Sequence, residues 1–350
     1  MVGRIKGFDG LRALSVMLVI MSHASIWTRL EITNPGVLAT FSAHAGVNVF
    51  FVLSGFLITN LLISEHKATG TISYRKFFMR RALRIFPLYF LAVTLLFIFD
   101  KTNLSKIPDC SFLFAYTYTL NFAPRACTFS SMSHFWSLAV EEHFYLLWPL
   151  VFLLGKRTAC ICALIFATVS LLAPPVLSGW FPGVSVNRWT IPAAAPIAFG
   201  CIVAFIYTHH HVSNFFASQK NAPFILLAAI TGLASPAFLS SELVWLIAVS
   251  VLLLYVIYNQ SSWLVRALEV KPLASLGVIS YGLYVWQGVF TGNGPYRSGG
   301  IFPPSVELGL WLTFLAAPLS YMFFERPMLA LKRRFSWRSE AMPAVSHAKV

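Results

Sequence analysis

Residues 133–154 read SHFWSLAVEEHFYLLWPLVFLL. From Phe135 to Leu154 the stretch is long and apolar enough to cross a bilayer, whose hydrocarbon core takes roughly 20 helical residues. Yet Glu141 and Glu142 sit side by side near its middle, flanked by His134 and His143. Ionised groups at that depth are costly unless they face a protein interior or a wet cavity. The chain is only 11% charged and holds 12 acids, so two adjacent ones here point to chemistry inside a membrane bundle.

Similar runs recur along the chain. Hydrophobic residues make up 57% of the 350, and the mean hydropathy of +0.72 does not suit a soluble domain of this size. About ten spans are expected: Phe8–Trp27, Ala45–Ser64, Ile85–Asp100, His134–Leu154, Thr158–Leu177, Ile191–Thr208, Pro223–Ser240, Leu243–Tyr258, Leu273–Thr291 and Val306–Phe324. The apolar piece Phe112–Phe122 is too short to span and reads as re-entrant or interfacial. The fold class is therefore all-α, a polytopic membrane helix bundle. The first span is long, carries Arg12 and lacks a small-residue cleavage site, so it is expected to be retained rather than cleaved. Residues 1–335 form the expected membrane domain and residues 336–350 a basic cytoplasmic tail.

Lys and Arg set the orientation. With the N-terminus inside and the spans alternating, the inside segments hold about three times as many basic residues as the outside ones. Both termini are then cytoplasmic, in a plasma (inner) membrane. The net charge of +14 reads as a topology signal with attraction to anionic lipid. It does not read as a nucleic-acid surface, because the basic residues flank spans.

Arg12 and His23 lie eleven residues apart in the first span. On a helix that is roughly 16 Å along the axis and about 20° around it, so both point the same way. A neutral imidazole can accept a hydroxyl proton, and Glu141 or Glu142 is placed to orient it, as carboxylates do in His-centred relays. Asp9 is expected to pair with Arg12. Arg80, Arg81 and Arg84, with Lys76 nearby, sit at the cytoplasmic end of the third span. They read either as a positive-inside anchor or as a phosphate clamp, since Arg forks suit phosphate oxygens. Cys110 and Cys127 share an outside segment and are candidates for a disulfide in an oxidising compartment, though spacing alone does not fix the pairing. His209–His211 read as a polar cap; no metal site is expected.

The ordered set FDGLRALSVMLVIMSH, GVNVFFVLSGFLIT, FFMRRALRIFPLYF, SHFWSLAVEEHFYLLWP, ISYGLYVWQ and FFERP resembles acyltransferase family 3, integral membrane O-acyltransferases, over nearly the whole chain. The resemblance implies transfer of an acyl group, often acetyl, from cytosolic acyl-coenzyme A to a hydroxyl of an extracytoplasmic glycan or lipid-linked sugar. It implies essential roles for Arg12 and His23, with Glu141 in the same centre. Family members often carry Asp where Asn48 stands and His where Gln287 stands. Some append an extracytoplasmic hydrolase-like domain; none is legible here, so this chain is expected to act alone or with a separate partner.

The resulting expectation is concrete. Arg80, Arg81, Arg84 and Lys76 hold the donor's phosphates. Arg12, His23, Glu141 and Glu142 carry the chemistry, and His134, Trp136 and Tyr145 meet the carbohydrate acceptor. His23 and one of the glutamates share a single polar cavity, with Arg12 below them and Glu141 preferred over Glu142. Ser54 and Gly55 are expected to let helices pack closely. Acyl-coenzyme A is a co-substrate, and no tightly bound cofactor is expected. The rivals are a polytopic transporter or flippase of a lipid-linked sugar, and a membrane subunit without chemistry.

Overall fold

The computed structural model describes residues 5–181, 184–234, 242–292 and 302–335; the expected tail, residues 336–350, lies outside them. Its principal helices are α1 (Phe8–His23), α2 (Ala43–Thr69), α3 (Tyr74–Lys101), α4 (Trp136–Val151), α5 (Lys156–Trp180), α6 (Ala195–Ile206), α7 (Ala222–Leu233), α8 (Glu242–Tyr258), α9 (Lys271–Val278), α10 (Ser280–Thr291) and α11 (Val306–Ser320). No strand occurs among the described residues. The protein is an all-α polytopic membrane helix bundle.

Among the described residues the ten apolar stretches are largely helical, positions 235–240 of the seventh lying outside them, and fewer of them are long enough to be single full spans. Among the described residues, five helical segments are long and apolar enough to cross a membrane, or seven if two bent pairs are counted as one span each. Helices α1, α7 and α8 are 16, 12 and 17 residues long, short of the roughly 20 a bilayer core asks for. The stretch expected as one span over Leu273–Thr291 is bent by 69° between α9 and α10. Only 17% of the most apolar window of α5 is buried. Its Ile161, Leu164, Ile165 and Leu172 therefore face outward, a surface that suits lipid and not water.

Local chemistry sets the helix ends. The Ser42 hydroxyl accepts from Ala45 N at 3.1 Å and caps α2. Gly70 closes that helix in the left-handed region, at φ 74°. At the far end of α1, Ala24 caps the helix and Ser25 turns the chain with φ 54°, so α1 stops at His23 rather than running on to Trp27.

Two apolar cores hold the bundle. One joins α1, α2, α3, α4 and α10 through Phe51, Phe77, Tyr89, Phe135 and Leu283. The other joins α1, α2, α6 and α8 through Phe56, Leu246 and Val256. Helices α2 and α6 touch backbone to backbone. A Cβ on Gly55 would lie 2.0 Å from Ile197 O, and one on Gly200 would lie 2.0 Å from Val52 O. Small residues permit such an approach in membrane bundles.

The segment between α3 and α4 does not cross. It holds a short helix, Asp109–Tyr116, and a 3₁₀ turn, Leu120–Phe122. Cys110 and Cys127 are disulfide-bonded, and Ser111 Oγ donates to Cys127 O at 2.8 Å.

Candidate active site

Two cavities meet inside the bundle, and α1 serves one with each end. Arg12 lines a cavity of about 300 Å³. His23 lines another of about 400 Å³. Val47 and Tyr284 line both.

The Arg12 cavity also takes Arg81 and Arg84 from α3, Glu141 and Tyr145 from α4, Ser54 from α2, and Lys332 from beyond α11. Arg12 Nη1 donates to Asp9 Oδ1 at 3.3 Å, the i, i+3 pairing expected. The Arg81 guanidinium lies 4.9 Å from the centre of the Tyr145 ring, within cation–π range. The Tyr145 hydroxyl hydrogen-bonds Ser54. Glu141 faces those two hydroxyls and the charges of Arg81 and Arg84. Lys332 feels four like charges: burial first, then Arg84, Arg81, Arg80 and Arg12, push its amine down to about 7.

The His23 cavity takes His44 and Asn48 from α2, His134 and Trp136 from the start of the 133–154 stretch, Arg188, Glu242 and Tyr284. A chain of two hydrogen bonds through Gln287 orients the His23 ring. The Gln287 amide nitrogen donates to Tyr284 O at 3.2 Å, which turns its oxygen toward His23. His23 Nδ1 lies 2.9 Å from that oxygen and therefore carries the proton as donor. In the neutral ring Nε2 then keeps its lone pair, the state a general base needs. His134 is locked in the other sense: its Nε2 donates to Val285 O at 3.0 Å. Its Nδ1 is buried without a partner among the described residues. Residue 288 must be glycine for this ring to fit, since a Cβ there would lie 2.0 Å from His134 Nδ1.

Several expectations change. His23 and the glutamates do not share a cavity: among the described residues, neither Glu141 nor Glu142 lines the His23 side. The apolar stretch runs on to Trp27, but α1 ends at His23 itself. Glu141 stays lower, against Arg81 and Arg84. The expected orientation of His23 by a glutamate is met instead by Gln287. Glu141 lines the Arg12 cavity, and Glu142 is not among the described lining of either cavity; one Glu142 carboxylate oxygen is buried without a partner among the described residues. His143 turns to Thr190, at 2.8 Å from Nδ1 to Oγ1.

The arginine cluster also divides. Arg81 and Arg84 enter the cavity. Arg80 does not: it is buried against Glu65, Nη2 to Oε2 at 2.9 Å. Lys76 is not among the residues described as lining the cavity. His134 and Trp136 stand on the His23 side as expected of acceptor residues, whereas Tyr145 stands on the Arg12 side. Lys332, Gln287, Arg188 and Glu242 carried no site role in the sequence. Lys332 stands in a KRR run that reads as a topology anchor, and only the return of the chain onto α3 brings it to the cavity.

The chain is 27% identical to a peptidoglycan O-acetyltransferase of Listeria monocytogenes, over 93% of this chain and 56% of the relative. It is 28% identical to a putative peptidoglycan O-acetyltransferase of Bacillus subtilis, over 93% and 55%. A putative O-acetyltransferase of Staphylococcus aureus is 27% identical over 97% and 60%. The chain thus spans a little over half the length of the curated relatives it matches. No solved structure matches it. Residues 5–324 match the family profile described as an acyltransferase domain, and the chain belongs to that family, acyltransferase family 3.

Proposed function

We propose that the protein is a membrane O-acetyltransferase. It moves an acetyl group from acetyl-coenzyme A in the Arg12 cavity to a carbohydrate hydroxyl in the His23 cavity. One observation carries this reading: a cation-lined cavity and a cavity holding a histidine with an open Nε2 abut at Tyr284. The names of the relatives support acetyl as the group and a wall polysaccharide as the acceptor class. Acyl-coenzyme A is a co-substrate here, and membrane lipid surrounds the bundle.

In the proposed reaction His23 Nε2 takes the proton of the acceptor hydroxyl. The freed oxygen attacks the thioester carbonyl, the C–S bond breaks, and the thiolate leaves with the proton as free coenzyme A. The alternative is a short-lived acetyl group on His23 itself. Arg81, Arg84 and Arg12 supply positive charge for the donor's phosphates. His134, Trp136, Asn48 and Glu242 offer the aromatic and hydrogen-bonding surface that a sugar needs.

Two features support an orientation. The Lys and Arg bias over the ten apolar stretches favours both termini in the cytoplasm. A disulfide between Cys110 and Cys127 suits a segment before α4 in an oxidising compartment. Donor and acceptor then arrive from opposite faces of the membrane. Abutting cavities would also suit a transporter of a lipid-linked sugar, so the test separates the two. Purified protein in detergent is incubated with radiolabelled acetyl-coenzyme A and polysaccharide fragments. Labelled carbohydrate and free coenzyme A, both lost in His23→Ala, are expected; intact acetyl-coenzyme A after incubation refutes the transferase.

A further inference from the structure

The chain beyond α11 returns to the bundle. After a π-helical turn, Tyr321–Glu325, the helix Arg326–Leu331 and the 3₁₀ turn Lys332–Phe335 pack along α3. The end of this arm is held by Arg80. Its Nη1 donates to Phe335 O at 2.8 Å, while its Nη2 holds Glu65 at 2.9 Å. Glu65 is 1% exposed, and its second oxygen accepts from Ser73 N at 3.0 Å. One buried ion pair thus ties together the end of α2, the start of α3 and the arm. Breaking such a pair strands a buried charge, so the arm's position is firmly set.

Three residues before the clasped carbonyl, Lys332 lines the Arg12 cavity. With it the lining holds four cations, Arg12, Arg81, Arg84 and Lys332, against one carboxylate, Glu141. Like charges crowded into one partly enclosed space repel, and that repulsion is relieved when an anion enters. A compact ammonium with three donors suits phosphate oxygens that do not demand a planar fork.

We propose that Lys332 is a donor-binding residue that engages phosphate groups, and that the Arg80–Glu65 clasp on Phe335 holds it over the cavity. The inference rests on the transferase assignment above and adds the chain beyond α11 to the donor site. It also gives Arg80 a function: it positions the arm and does not touch the donor.

The test compares two thioesters, acetyl-coenzyme A and S-acetylpantetheine, which lacks the nucleotide phosphates. Wild type, Lys332→Gln, Lys332→Arg and Arg80→Gln are assayed in neutral-lipid nanodiscs, with thermal midpoints alongside. Coenzyme A binding is read in parallel by equilibrium dialysis. The wild type is expected to favour acetyl-coenzyme A in KM. Lys332→Gln should narrow that preference about tenfold and weaken coenzyme A binding alike, the loss of one charge-assisted contact. Lys332→Arg should retain most of both. Arg80→Gln should narrow the preference and lower the thermal midpoint as well. Equal KM changes for the two thioesters in Lys332→Gln overturn the proposal, as does no change. So does an effect of Lys332→Gln that appears only when anionic lipid is added, which would assign the lysine to headgroup phosphate. A wild type that binds coenzyme A but transfers nothing refutes the transferase reading, while the dialysis still decides Lys332. A wild type that does not bind coenzyme A refutes both.

Discussion

Gln287→Leu isolates the hydrogen bond that sets the His23 tautomer. Leucine is close in size to glutamine and suits a site with no exposed surface, so the fold should hold. What is lost is the 2.9 Å bond from His23 Nδ1 to Gln287 Oε1. A net bond of this kind is worth about 0.5–1.5 kcal/mol, which corresponds to roughly 2- to 13-fold in the population of the productive tautomer. General-base catalysis as a whole is worth about 100- to 10,000-fold, so Gln287→Leu should fall well short of His23→Ala. Gln287→His, the residue many family members carry there, can keep an acceptor nitrogen toward the ring and should retain most activity. The assay is single-turnover acetyl transfer from radiolabelled acetyl-coenzyme A under saturating donor, with the thermal midpoint recorded in parallel. A Gln287→Leu rate within error of wild type refutes the tautomer argument. A loss as deep as that of His23→Ala refutes it too, because a positioning contact cannot cost as much as the base it positions.

Other outcomes follow from the same geometry. Replacing Arg81 and Arg84 by Gln should raise the donor KM and leave the acceptor KM nearly unchanged, and equal shifts in both would return these residues to a topology role. Donor KM should also rise between pH 6 and pH 8: the Lys332 amine, pushed down to about 7, is charged below that pH and neutral above it. Arg12, Arg81, Arg84 and Glu141 face the same cavity in both proteins, so Lys332→Arg should flatten the rise; parallel profiles would exclude the lysine as its source. Replacing Cys110 and Cys127 by Ser opens a crosslink with a sequence separation of 17, for which the chain-entropy model gives about 3 kcal/mol, and an unchanged thermal midpoint would show that the segment is held by packing alone. Gly200→Ala should abolish the folded state, since its Cβ would sit 2.0 Å from a backbone carbonyl; a monodisperse, active variant would show that α2 and α6 can separate.

Much of the architecture was legible because lipid imposes strong rules on sequence. The apolar runs survive as helices in the fold. Asp9 found Arg12 because residues three apart on a helix are neighbours. Gly55 lay between runs of large apolar residues, which marked a close approach. Other features depend on contacts that no local pattern encodes. Glu65 reaches Arg80 across the turn between α2 and α3, and this takes one arginine out of a cluster of three. The end of α1 at His23 comes from a single left-handed residue, Ser25, and it moves the histidine away from the glutamates. Gln287 read as a departure from the family pattern, yet its oxygen meets the His23 ring. The 69° bend between α9 and α10 splits one apolar stretch and brings Tyr284 to the junction of the cavities.

That junction carries a second obligation. In the proposed orientation the two cavities enter from opposite faces, and Val47 and Tyr284 are the residues common to both. A transferase built this way must pass a two-carbon group while remaining an insulator. Protons and small cations run down a gradient through any continuous file of water, and the energised membrane would discharge. The Tyr284 hydroxyl is held against His134 O at 2.9 Å, so the ring closes the gap in a fixed pose. A cell carrying Tyr284→Gly would then pay twice, once in lost acetylation and again in conductance. The second cost would be visible as a fall in membrane potential even with no donor present.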